Sequence, residues 1–157
     1  MDELGQSDIA NHLTGGEPHL GEGDVDDVIG CERCHPDQLP PDFFGYVRGL
    51  DIVESVVQES HFALQVLRCH SCGQLFVKVF TEFIDWDGGD DAQYWTVMPI
   101  TSDEATRLIA EGEGVDVQWV GSLGRGRRSL ISDYPTGAPS RYGWRSGPVP
   151  IHRGEWG

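Results

Sequence analysis

Four cysteines stand in two Cys-x-x-Cys pairs, Cys31 with Cys34 and Cys69 with Cys72, and 34 residues separate the pairs. A two-residue spacer lets both sulfurs of a pair approach one ion, and four soft thiolates fill a tetrahedron around zinc. The spacing therefore predicts one structural Zn2+ held by Cys31, Cys34, Cys69 and Cys72. A filled tetrahedron leaves no position for water, so no hydrolytic chemistry is expected at the metal.

Three other uses of these residues compete: two redox dithiols, disulfides between the pairs, or unrelated buried cysteines. A redox dithiol belongs beside a βαβ pattern and needs a reactive thiol of low pKa, and the surrounding sequence is extended instead. Met1 through Gly30 carries eight acids, no lysine or arginine and no apolar signal core. That predicts a reducing, cytoplasmic setting in which paired cysteines serve metals more often than disulfides. The long gap between pairs raises the closure entropy only logarithmically, and structural zinc returns on the order of 10 kcal/mol. His35 and His70 adjoin the cysteines and are expected to support the ligands or face solvent. His61 has no evident partner.

Other residues could do chemistry. The acidic loop of Asp85, Trp86, Asp87, Asp90 and Asp91 departs from the EF-hand series, which ends in a bidentate acid at its twelfth position. A solvated turn is the expected outcome. No histidine or nucleophile accompanies these acids, so no catalytic constellation is recognised and no enzyme activity is predicted. Gly124-Arg125-Gly126-Arg127-Arg128 resembles a phosphate-binding tract, with docking onto the acidic body of the same chain as the alternative.

The elements that must position the cysteines are legible in part. Phe62, Leu64 and Val66 alternate toward Cys69, and Leu75, Val77, Val79, Thr81 and Phe83 alternate beyond Cys72, predicting two strands joined by a cysteine turn. Leu50 to Val57 is rich in valine and isoleucine and reads as a strand, as does Tyr94 to Ile100. Thr101 precedes Glu104 by three residues, a capping-box spacing, ahead of the apolar stripe Ala105, Leu108 and Ile109. One short helix is expected there. Val115, Val117 and Trp119 alternate with polar neighbours and predict a further strand ending near residue 120. Upstream, prolines between Cys34 and Phe43 bias the backbone toward turns, with Phe43, Phe44 and Tyr46 anchoring the loop.

The fold class that follows is α+β: a zinc-ribbon-like antiparallel β-sheet with one short helix, flanked by irregular segments. Residues 1–30 form an acidic tail, 31–120 the core, and 121–157 a Gly/Arg/Pro-rich segment without periodicity. Charge divides along the same line. The chain carries a net −15, made of −19 over residues 1–120 and +4 over residues 121–157. Such acidity repels phosphate backbones and anionic membranes, so direct nucleic-acid and membrane binding are not expected. Ten of the eleven basic residues are arginine, a bias that fits a GC-rich bacterial genome.

His61-Phe62, the run Arg68-Cys69-His70-Ser71-Cys72-Gly73-Gln74-Leu75, Glu82 to Trp86, Gln93-Tyr94-Trp95 and Pro99-Ile100-Thr101 together resemble small uncharacterised bacterial zinc-ribbon-like proteins. The resemblance spans residues 61–109. It implies a fold and carries no activity. Trp95 and Trp119 are expected in the core. Asp85, Trp86, Asp87, Asp90 and Asp91 are the expected contact surface for a basic protein partner, in the manner of an immunity protein or enzyme inhibitor. The alternative is a zinc-ribbon accessory factor of transcription or nucleic-acid metabolism that uses the C-terminal arginines.

Overall fold

A computed structural model describes residues 30–149 and residue 151; the acidic segment before Gly30 lies outside the described residues. Six strands make one open antiparallel sheet in simple sequential order. They are β1 (Asp51–Gln58), β2 (Phe62–Arg68), β3 (Leu75–Phe83), β4 (Ala92–Ile100), β5 (Arg128–Tyr134) and β6 (Arg141–Ser146). Among the described residues three short α-helices accompany them: α1 (Phe43–Arg48), α2 (Ser102–Glu111) and α3 (Val117–Ser122).

Because successive side chains in a strand point to opposite faces, the sheet sorts its apolar residues into two cores. Phe62, Leu64, Val66, Val77, Val79, Met98 and Ile100 line one face, where Ala105 and Leu108 of α2 and Val120 of α3 cover them. Leu67, Phe76, Val97 and Leu130 line the other, covered by Phe43 of α1 and by the buried Cys34 and Cys69. Each buried Val, Leu, Ile or Phe contributes about 1.5–3 kcal/mol, so both layers are needed to hold a sheet this wide. The cysteines thus sit inside one of the two cores.

The predicted strands around the second cysteine pair are present, with β2 and β3 in unbroken register from Phe62↔Thr81 to Arg68↔Leu75. The capping box is complete: Thr101 Oγ1 accepts from the Glu104 amide at 3.1 Å, and Glu104 Oε1 accepts from the Thr101 amide at 2.9 Å.

Three expectations are corrected. The stretch from Val115 is helical, not extended, because Asp116 caps α3 by accepting from the amides of Gln118 and Trp119 at 3.0 and 3.4 Å. The single expected helix becomes three among the described residues; α1 arises where Asp42 accepts from the Gly45 amide at 2.6 Å. Finally, the core does not end near residue 120. Residues 128–146 supply β5 and β6, paired from Arg128↔Ser146 to Asp133↔Arg141.

The chain after β6 returns to α3, where the amides of Gly147 and Val149 donate to the carbonyls of Gly124 and Gly121. A Cβ at Gly124 would lie 2.2 Å from the Gly147 carbonyl oxygen, so only glycine admits this approach.

Candidate metal centre

Cys69 and Cys72 occupy the turn between β2 and β3. The Gly73 amide donates to the Cys69 carbonyl at 2.8 Å, and the Cys69 amide donates to the Gln74 carbonyl at 2.9 Å. Gly73 adopts φ 84°, the left-handed conformation that closes this knuckle at no side-chain cost. Cys31 and Cys34 form a matching turn ahead of α1, closed by the His35 amide donating to the Cys31 carbonyl at 2.8 Å.

The two turns face each other. Cys31 Sγ lies 3.8 Å from Cys34 Sγ and 3.9 Å from Cys69 Sγ, and Cys34 Sγ lies 3.7 Å from Cys72 Sγ. All four sulfurs fall within 4.8 Å of one another, close enough to hold one metal ion. A tetrahedron with metal–sulfur bonds near 2.3 Å has edges of about 3.8 Å, the spacing seen here. None of the four is joined in a disulfide.

Burial grades the ligands. Cys34 and Cys69 are buried, Cys31 is half-buried and Cys72 is exposed. The Cys34 amide beside Cys31 lowers that thiol to about 7, whereas burial pushes the Cys34 thiol far up and the Cys72 thiol up to a lesser degree. Protein groups alone therefore do not ionise all four sulfurs. A cation bound at their centre would supply the missing charge compensation.

The surroundings hold the first knuckle against the sheet. Tyr46 donates its hydroxyl to the Cys34 carbonyl. Arg128 donates to the Pro36 carbonyl and lies 3.8 Å over the ring of Trp144. His35 sits edge-on to Trp144 at 5.5 Å, with Nε2 at 3.3 Å from the Arg128 carbonyl. His70 is exposed, 3.8 Å from Asp51. Neither histidine joins the metal-binding group, in line with the supporting or exposed roles expected of them. His61, expected to lack a partner, places Nδ1 3.0 Å from Glu82 Oε1. The roles of Arg128, Trp144 and Tyr46 escape sequence reasoning because they span up to a hundred residues.

The acidic loop between β3 and β4 lies apart from the cysteines and is internally tied. Asp85 accepts from the amides of Asp87, Gly88 and Asp90, and Asp91 accepts from the Asp85 amide at 2.8 Å. Asp90 Oδ2 accepts from the Gly137 amide at 3.1 Å, which pins the loop to the β5–β6 turn. Among the described residues these acids form no metal-binding group. Trp86 projects from this frame with 79% of its surface exposed. Trp95 and Trp119 pack against the two cores.

Two arginines of the 124–128 tract are engaged within the chain, Arg127 with Glu104 and Arg128 with Pro36 and Trp144. Among the described residues no helix is long and apolar enough to cross a membrane. No family model matches the chain, and comparisons with curated proteins and with solved structures find no match.

Proposed function

We propose that Cys31, Cys34, Cys69 and Cys72 hold one structural zinc in a zinc-ribbon-like clamp, and that the protein is an acidic binding module for a basic protein. In this reading it occupies the basic site of a toxin or other enzyme, as immunity proteins and inhibitors do. The zinc assignment rests on four thiolates at tetrahedral spacing. The metal fastens the Cys31–Cys34 turn to the β2–β3 hairpin and, with its coordination filled, performs no chemistry.

The observation that carries the binding role is Trp86, 79% exposed in a loop where backbone amides hold the carboxylates of Asp85, Asp90 and Asp91. An exposed tryptophan among fixed carboxylates combines a large apolar anchor with charge that steers and selects a cationic surface. The accessory-factor alternative draws less support, because Arg127 and Arg128 already satisfy acceptors within the fold.

The test is affinity capture from the native host at low and moderate salt, with wild-type protein and Trp86→Ala side by side. A basic partner whose affinity falls with salt and drops about tenfold or more with Trp86→Ala supports the reading. Recovery of no basic protein at either salt overturns it.

A further inference from the structure

We propose that the outer edge of β6 is a second binding site, which accepts an extended acidic peptide as a seventh strand. The two edges of the sheet differ. On β1 the pairing is broken twice, between Ile52 and Glu54 and between Ser55 and Val57, which twists that edge away from regular ladder geometry. On β6 the register with β5 is continuous over all six residues. Half of the β6 backbone donors and acceptors point away from β5, and among the described residues no hydrogen bond is directed to them.

The side chains at this edge state what would pair with it. Arg141, Gly143 and Arg145 share one face, opposite Asp133, Ile131 and Ser129. The two arginines stand about 13 Å apart along the strand. Between them Gly143 leaves a gap in which an added Cβ would meet nothing within 4 Å, with Ile131 alongside. The Arg141 side chain is 65% exposed, and that of Arg145 is half-buried, with its charge felt at Asp133. No aspartate or glutamate occurs from Tyr134 to Ile151.

An antiparallel strand laid along β6 would present its own alternate residues to this face. Acidic side chains four positions apart would meet Arg141 and Arg145, and an apolar residue midway would fill the space over Gly143. The recognised pattern is acid-x-apolar-x-acid, with main-chain hydrogen bonds giving affinity and the arginines giving register.

A second copy of the chain fits less well. Antiparallel self-pairing centred on Gly143 would set Arg141 opposite Arg145 of the other copy, a like-charge contact. The acidic β1 edge would bring Asp51 and Glu54, but its two irregularities forbid a continuous ladder.

The experiment uses the full zinc-loaded chain and a fluorescein-labelled peptide of threonines carrying glutamate, valine and glutamate at alternate positions. A control peptide of identical composition has its two glutamates adjacent. Fluorescence anisotropy is expected to saturate with the first peptide, to weaken about tenfold with the control, and to weaken about tenfold for Arg145→Glu. Amide hydrogen exchange should slow within residues 141–146 when the first peptide binds. Arg145 carries the test because Arg141 also donates to the buried Asp133, whereas Arg145 acts on it through its charge alone; a retained cooperative thermal transition confirms that Arg145→Glu folds. Equal binding of the two peptides, indifference to Arg145→Glu, no saturation by about 1 mM, or a dimer through this edge each overturn the proposal.

Discussion

Glu104 and Arg127 meet in a two-pronged ion pair, Oε1 on Nη1 at 2.8 Å and Oε2 on Nη2 at 2.9 Å, with side chains only 19% and 10% exposed. The same Glu104 closes the capping box of α2, and the same Arg127 donates to the Pro99 carbonyl at 3.2 Å. One contact therefore joins the start of a helix, the end of β4 and the approach to β5.

Breaking this contact leaves a shielded charge without its partner. Arg127→Met is expected to lower stability by about 3 kcal/mol, measured by urea denaturation at neutral pH. The pH dependence has a fixed sign. Burial alone raises the Glu104 carboxyl, but the Arg127 hydrogen bonds and the Thr101 amide outweigh it and hold it below its ordinary value. A depressed folded value means that stabilisation is complete above the ordinary carboxylate range and is lost as pH falls through the folded value. The gap between wild type and Arg127→Met should accordingly narrow on acidification. A gap that widens below pH ~4 contradicts the assignment.

Asp133 should behave in the opposite way. It is buried, Arg141 reaches it only at 3.4 Å, and burial raises its carboxyl despite the charges of Arg145 and Arg141. A raised folded value favours the protonated form, so stability is lost as pH rises from the ordinary carboxylate value through the raised one, and the full cost is present above it. Asp133→Asn is expected to raise the melting temperature at pH 7 and to change it less in acid. Equal or larger gains at low pH would speak against this account.

Metal removal should act on the whole fold rather than on one loop. Chelation is expected to abolish the cooperative thermal transition, and metal analysis should return one zinc per chain. Cys34→Ser should impair zinc retention more than Cys72→Ser, because Cys34 is buried at the knuckle and Cys72 lies at the solvent boundary. A chain that remains fully folded after complete metal loss would falsify the structural role.

Trp86→Ala should leave the melting temperature unchanged, since the side chain is 79% exposed. Asp85→Ala should instead loosen the loop, because three amides lose their acceptor. Hydrogen exchange across residues 85–91 separates the two variants, with faster exchange expected only for Asp85→Ala.

The elements with simple periodicity are legible in the sequence itself. Alternation across Phe62, Leu64 and Val66 and across Val77 and Val79 marks one face of β2 and β3, and the Thr101–Glu104 spacing marks α2. Alternation misled at Val115, Val117 and Trp119. Val117, Val120, Gly121 and Gly124 also fit helical spacing, and Asp116 supplied the cap that decided the matter. β5 was obscured because Ser129, Leu130, Ile131, Ser132 and Asp133 are all buried and show no alternation. β6 had a readable signal in Tyr142 and Trp144 placed between Arg141, Gly143 and Arg145, masked by glycine and charge. The cysteine spacing pointed to the site, but its attachment to the sheet through Arg128 and Trp144 depends on a pairing that local sequence does not encode.

The sequential order of the six strands has a bearing on synthesis. Each strand emerges next to the one it pairs with, so hairpins close locally as the chain lengthens. The cysteine clamp closes later: contacts such as Cys31 with Cys69 bridge 38 residues. Cys31 and Cys34 leave the ribosome first and wait as an open dithiol until the β2–β3 turn arrives. A nascent chain arrested before Cys69 thus carries only two of the four sulfurs.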